Sequence, residues 1–251
     1  MNSLTPCWVA FDTETTGTGF FDRLVELAAV CFADDGTVLD TFQTLINPGR
    51  PIPAAASELH HITDADVADQ PDAAAALTRF FSWVPAGATM LAHHAPFDIG
   101  FVDAACRRAG IAHPAWPVLD TCELARTLRQ TPDHRLETLV NHYQLRTLGD
   151  AHRAMPDADA VRQYFGLVRH QAPLSIAPWP STAPNPALLP PALTDLPAWI
   201  AAGQPIAFRY RNHQGRFSQP TITPLIKLVH WPWPRSTSSW NATRTPIAYW
   251  H

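Results

Sequence analysis

Two carboxylates, Asp12 and Glu14, lie one residue apart in the segment FDTETTG, at the end of an apolar run that begins CWVAF. Side chains at i and i+2 of a strand point to the same side. Two carboxylates placed in this way repel each other, and a bound cation removes that cost. An all-oxygen donor set suits Mg²⁺ or Mn²⁺ rather than zinc. Thr13 stands between the two acids, and Thr15, Thr16 and Gly17 follow at the strand exit, where hydroxyls and backbone N–H groups could meet a bound substrate. Taken alone, Asp-x-Glu is also what a solvated strand end carries.

Two further segments bring the same kinds of group. LAHHAPFDIGFVD, residues 91–103, sets Asp98 near the start of a helix that follows a buried strand. By itself this is an ordinary first-turn acid favoured by the helix dipole. His93 and His94, just before that helix, read equally as structural or solvated residues. HRAMPDADA, residues 152–160, puts His152 five positions ahead of Asp157. Pro156 is expected at or near the first position of the last helix, which would fix where Asp157 projects. A histidine whose ordinary pKa is about 6.5 can take a proton from water at neutral pH.

The elements that must hold these groups read as one α/β unit. CWVAFDTE is a buried strand. LVELAAVCFA and TVLDTFQTLI are two more, joined through ADDG. Asp-Gly between β-rich runs signals a hairpin, so an antiparallel three-stranded start is expected. PDAAAALTRFFSWV sets Ala76, Leu77, Phe80, Phe81 and Val84 on one helical stripe. ATMLAHH is a strand, and APFDIGFVDAACRRAG is a helix stopped by Gly110. WPVLDT is a short strand entering the helix CELARTLRQ. HRLETLVNHYQL and MPDADAVRQYFGLVRH are amphipathic helices.

In that order and at that spacing, FDTETTG, HHAPFDIGF and HRAMPDADA resemble the three motifs of the DEDDh 3′→5′ exonucleases. The likeness is to the group around the proofreading epsilon subunit of bacterial DNA polymerase III. HHITDADV at 60–67 and VLDTCELAR at 118–126 are similar to further segments of that family. The likeness covers about residues 6–170. One departure is His94, which stands where the family often has Asn.

The resemblance implies a ribonuclease H-like fold: a mixed sheet flanked by helices. It also implies two Mg²⁺ or Mn²⁺ ions per site, with Asp12 bridging both, Glu14 and Asp157 completing one site and Asp98 helping to hold the second. His152 would be the general base, and nucleoside 5′-monophosphates would be released. It sets His60 and Ile62 against the terminal base, with Phe97 able to stack on it. The substrate would be a nucleic acid with a free 3′ end, DNA favoured, and a DNA polymerase or repair complex is a partner by analogy. An RNA-trimming enzyme of the same fold and a catalytically silent nucleic-acid-binding module are the alternatives.

Composition bounds the rest. No apolar stretch is long enough to span a membrane, and the first residues, MNSLTPCWVAFDTET, lack the pattern of a signal peptide. A cytoplasmic protein is expected. Cys7, Cys31, Cys106 and Cys122 form no Cys-x-x-Cys pair and are expected to be buried and reduced. Residues 1–170 carry 12 arginines against 21 acidic residues, whereas residues 171–251 carry six cations and one acid. A metal-holding domain tolerates excess acid, and a basic tail would attract a phosphate backbone. Surfaces that are simply kept solvated would look the same.

The expected domains are residues 1–170 for the exonuclease-like unit, 171–198 for a linker and 199–251 for a small β-rich tail. The segment beginning QAPLSIAP, with eight prolines, cannot build a core. PIAFRYRN and RFSQPTITP flank His-Gln-Gly as a hairpin, and this stretch weakly resembles part of a WYL domain.

Overall fold

A computed structural model describes residues 7–18, 22–112, 114–146 and 152–179, with four two-residue strands beyond them. The chain divides into two units, Met1–Trp179 and Pro180–His251.

The first unit is built on a six-stranded mixed sheet. Its strands are β1 (Cys7–Thr15), β2 (Leu24–Ala33), β3 (Val38–Leu45), β4 (Thr89–Ala92), β5 (Pro117–Asp120) and β6 (Ile176–Pro178), in spatial order β3-β2-β1-β4-β5-β6. The expected antiparallel start is present: β1 pairs with β2 and β2 with β3. Gly36, at φ 88°, turns the hairpin and donates its N–H to Ala33 O at 2.9 Å. Strands β4 and β5 then run parallel to β1, and β6 returns antiparallel to β5. Central strands covered on both faces read as unbroken apolar runs, and β2 is buried over nine of its ten residues.

The helices are α1 (Ala54–His60), α2 (Asp64–Val67), α3 (Ala73–Trp83), α4 (Ala95–Ala109), α5 (Thr121–Leu128), α6 (Leu136–Tyr143) and α7 (Ala154–Val168). Helix α7 packs across β1 and β2. Its Val161, Tyr164, Phe165 and Val168 close a core with Ala10, Phe32, Leu91 and Leu119. On the opposite face, Phe11 meets Phe80 of α3 and Trp179. The short helices α1 and α2 have no periodic signal of their own. Thr63 and Asp66 start α2 with a reciprocal capping box.

Two boundaries differ from expectation. Helix α7 begins at Ala154, one residue before the expected start, so Pro156 is its third residue, within the first turn. No hydrogen bond is lost there, because the N–H groups of a helix's first turn have no intrahelical acceptor. The second difference is larger. Residues 171–179, expected to open the linker, complete the sheet as β6, with Leu119 opposite Ile176. Trp179 is 2% exposed, stacks on Phe11 at 5.9 Å and meets Trp116 edge-on at 5.7 Å. Proline is tolerated on an edge strand, so Pro178 does not prevent the pairing. Trp179→Ala is expected to cost about 3–5 kcal/mol, read by urea unfolding of the full chain. A loss under about 1 kcal/mol would remove Trp179 from the core.

In the second unit, β7 (Ile206–Ala207) pairs with β10 (Thr221–Ile222), and β8 (Tyr210–Arg211) with β9 (Phe217–Ser218), all antiparallel. These pairings are those of the expected hairpin. The remainder of the expected linker and β-rich tail lies outside the described residues. Among the described residues no helix is long and apolar enough to cross a membrane.

Candidate active site

The strand register decides which groups can meet. Trp8 packs on Phe165 of α7 and Ala10 lies in the same core, so alternation turns Asp12 and Glu14 to the α7 side. The first turn of α7 brings Asp157 to them. One carboxylate oxygen from each of Asp12, Glu14 and Asp157 lies within 4.8 Å of the others. Thr13 points to the other side. There Asp98, in the first turn of α4, accepts its N–H at 3.0 Å and its hydroxyl at 2.7 Å, both on Oδ1. Asp98 is not one of the group of three, but its charge is the largest acting on Asp12, which puts it close by.

Four carboxylates this close, in a partly buried site, resist ionisation. Burial, then the charges of Asp98, Asp157 and Glu14, holds Asp12 well above the usual carboxylate range. Burial, followed by Asp157 and Glu26, pushes Glu14 up to about 8, against the opposing charge of Arg153. Burial raises Asp98 to about 7, opposed by its bonds from Thr13. Asp157 rises to about 6 through burial, restrained by the charge and the backbone N–H of His152. Such a group is stable in its ionised form only beside positive charge. An oxygen-only donor set that is partly buried and mutually repelling fits a hard divalent cation.

His152 is exposed and sits at φ 62°, two residues before α7. It precedes Asp157 by five residues at the entry to α7, so the candidate base and the candidate ligand share one junction. Its neighbours Gly149, Asp150 and Ala151 lie outside the described residues.

The expected substrate-contact residues are distributed as follows. The Thr13 hydroxyl is engaged by Asp98. The Thr15 hydroxyl donates to Gly17 O at 2.7 Å, and that of Thr16 donates to Asp22 Oδ1 at 2.9 Å. All three are buried, so their hydroxyls serve the strand exit first. Gly17 is required there, because a Cβ would stand 2.7 Å from the Asp22 carboxylate. His60 is 1% exposed, takes the Ile62 N–H on Nδ1 at 3.1 Å and stands against the backbone of Thr15. Ile62 lies in a core with Val25, Ile52 and Val67. Phe97 is half-buried, with its ring 4.9 Å from that of Phe101.

The two histidines before α4 divide in role. His93 Nε2 lies 2.7 Å from His134 O and must donate to it, so Nδ1, 3.0 Å from the Thr121 hydroxyl, accepts. Burial pushes His93 down to about 4, so it is a neutral structural bridge. His94 takes the left-handed turn that launches α4, its N–H held by Asp120 at 2.9 Å.

One buried pair was not anticipated. Glu26 of β2, opposite Glu14, is fully buried and accepts two bonds from the Arg153 guanidinium. The signal was present: a single acid in the otherwise apolar run LVELAAVCFA must find a donor in the interior. Which donor it finds is set by the fold.

Residues 9–165 match the model of a family described as Exonuclease, of RNase T type, and all five candidate catalytic residues fall inside that range. Among curated proteins, the DNA polymerase III PolC-type of Lacticaseibacillus paracasei is 39% identical over 156 residues, covering 61% of this chain and 11% of that protein. The PolC-type protein of Bacillus cereus is 37% identical over 156 residues, again covering 61% of this chain and 11% of the relative. This chain thus spans about a tenth of the length of these relatives. Among solved structures, the nuclease domain of 3′hExo, a DEDDh family member bound to rAMP, superposes with a TM-score of 0.61 at 15% identity, covering 70% of this chain and 98% of that one. That likeness is one of fold.

Proposed function

Since this chain belongs to the exonuclease family, we propose that it shortens nucleic-acid strands from their 3′ ends, DNA in preference to RNA, releasing nucleoside 5′-monophosphates. The observation that carries this reading is the convergence of Asp12, Glu14 and Asp157 within 4.8 Å, with Asp98 alongside. All five residues that the chemistry would need are present in the sequence, which argues against a silent binding module.

Asp12, Glu14 and Asp157 would hold one divalent cation. Asp12 and Asp98 would hold a second, through the Asp98 oxygen that Thr13 does not engage. Mg²⁺ and Mn²⁺ both suit these donors. Bound there, two cations would stabilise the entering and leaving oxygens of an in-line displacement. His152 would take the proton of the attacking water, which requires a neutral ring. The exposed position of His152 lets that proton pass to solvent. Phe97 would stack on a base at the end of the strand, a contact that contributes about 1–3 kcal/mol. The PolC-type relatives are DNA polymerases by name, which favours DNA and a role beside a polymerase or repair complex.

The test is degradation of 5′-labelled linear single-stranded DNA, duplex DNA, RNA and circular single-stranded DNA with Mg²⁺, Mn²⁺ or EDTA. A ladder shortening from the 3′ end is expected, with intact circles and no reaction in EDTA. Efficient cutting of circles would make the protein an endonuclease. Faster degradation of RNA than of DNA would reverse the substrate preference.

A further inference from the structure

We propose that Glu26 and Arg153 act together as positioning residues for cleavage, setting the start of α7 so that His152 and Asp157 reach the reacting atoms together. This inference rests on the exonuclease reading and adds to it a control point outside the five candidate catalytic residues.

The geometry is specific. Glu26 Oε2 accepts from Arg153 Nε at 3.0 Å and from the Ala154 N–H at 3.1 Å. Its Oε1 accepts from Arg153 Nη2 at 2.9 Å and from Gln43 Nε2 at 2.8 Å. Four donors thus converge on one carboxylate that is fully shielded from water. The paired fork of an arginine on a carboxylate fixes orientation as well as distance. Three of the four bonds come from Arg153, the N-cap residue of α7, and Ala154, its first residue.

The clamp has no role in starting a helix that an ordinary cap could not fill, and Arg153 makes no side-chain cap of its own. What it does fix is position. His152 precedes the clamped residues, and Asp157 follows three positions after Ala154, its N–H bonded to Arg153 O at 3.2 Å. Glu26 is also directly opposite Glu14 in the β1–β2 register. One contact therefore ties the junction bearing His152 and Asp157 to the strand pair bearing Asp12 and Glu14. Displacing a reacting group by about 1 Å can cost about 10²-fold in rate. Groups that orient ligands matter to metal affinity by about 10–100-fold.

A second clamp on the same helix supplies the control. Arg162 bonds Asp159 Oδ1 at 2.6 Å and Gly36 O at 3.2 Å, tying α7 to the same hairpin but further along the helix. If the helix needs only to be held down, the two clamps are equivalent. If its first turn needs to be aimed, they are not.

The experiment compares Arg153→Ala, Arg153→Lys, Glu26→Gln and Arg162→Ala in the full chain. It measures kcat, KM for a single-stranded oligonucleotide, Mn²⁺ binding without substrate, and thermal melting. For Arg153→Ala we expect kcat to fall about 10–100-fold and the Mn²⁺ midpoint to rise about tenfold or more, with KM within about twofold. Arg153→Lys, which keeps the charge but loses the fork, is expected to recover only part of the loss. Arg162→Ala is expected to melt earlier with kcat and Mn²⁺ midpoint unchanged. If Glu26→Gln does not fold, the two Arg153 variants decide, because that side chain is one-third exposed.

Folded Arg153 variants with wild-type kcat and Mn²⁺ midpoint would overturn the proposal. A raised KM with kcat and Mn²⁺ binding unchanged would also overturn it, making Arg153 a substrate contact. Equal losses of kcat in Arg162→Ala and Arg153→Ala would reduce both clamps to general stability. If the wild-type protein itself degrades no nucleic acid, the exonuclease reading fails first, and that outcome is distinct from all of these.

Discussion

Asp12→Asn is expected to remove nuclease activity and, in the absence of metal, to make the protein more stable at pH 8. Asp98, Asp157 and Glu14 all add to burial in raising the pKa of Asp12. Losing the carboxylate that both cations would share is expected to cost about 10³–10⁵-fold in rate, the scale of several kcal/mol of charge stabilisation.

The sign of the stability change follows from the direction of the shifts. Asp12, Glu14, Asp98 and Asp157 all have raised pKa values in the folded protein. A raised acid binds its proton more tightly when folded, so its contribution is fully present below the ordinary carboxylate range and is lost as pH rises through the folded value. Metal-free wild type should therefore lose stability between about pH 4 and about pH 8, where Glu14 ionises. A divalent cation should restore it. Asp12→Asn should show a weaker pH dependence and a smaller gain from Mn²⁺. For a domain of this size each kcal/mol relieved shifts Tm by about 2–4 °C. Differential scanning calorimetry at pH 5 and 8, with and without Mn²⁺, reads all four states. A lower metal-free Tm in Asp12→Asn at pH 8 would contradict the repulsive site.

His152→Ala is expected to lose about 10²–10⁴-fold in kcat, the usual span for general-base catalysis, while retaining Mn²⁺ binding. The ring is exposed, and the four carboxylates remain in the variant. One backbone feature needs a control. The residue sits at φ 62°, a conformation that β-branched and bulky residues avoid and asparagine tolerates. His152→Asn therefore tests the ring with less backbone cost. Both variants should flatten the acid limb of the pH–rate profile, since the group that must be neutral is gone. A near-normal rate at neutral pH in either would remove His152 from the mechanism. Loss of Mn²⁺ binding in His152→Asn would make the ring a ligand.

Much of this arrangement was legible before any coordinates, for a physical reason. β1, its hairpin partner and α7 each announce themselves by a local period. The chemistry then restricts which acids can serve, since only those at strand exits or helix first turns can converge. The resemblance added the order in which they do so. Glu26 and Arg153 were illegible in a different sense. Each is visible as a type, but nothing near Glu26 names a donor that far along the chain. The edge strand β6 was hidden by composition: three residues ending in a proline carry no periodicity, and it is their pairing with β5 and the burial of Trp179 between Phe11 and Trp116 that show the sheet has not ended. The burial of Ile62 was open for a related reason, because an isolated isoleucine in a loop fits a base-contacting wedge and a core equally well.

The long span between Glu26 and Arg153 also sets an order of events during synthesis. The two residues are 127 positions apart. A ribosome adding about 5–20 residues per second needs roughly 6–25 s to make that interval. Until then the nascent chain holds Asp12, Glu14 and Asp98 but lacks the arginine that neutralises Glu26, the histidine and the last acid. A chain terminated anywhere before residue 152 would hold at most three of the four carboxylates and would lack the proposed base. On the proposed reading, the group of acids and its base would therefore be complete only once the start of α7 has been made, shortly before β6 and Trp179 close the sheet and core.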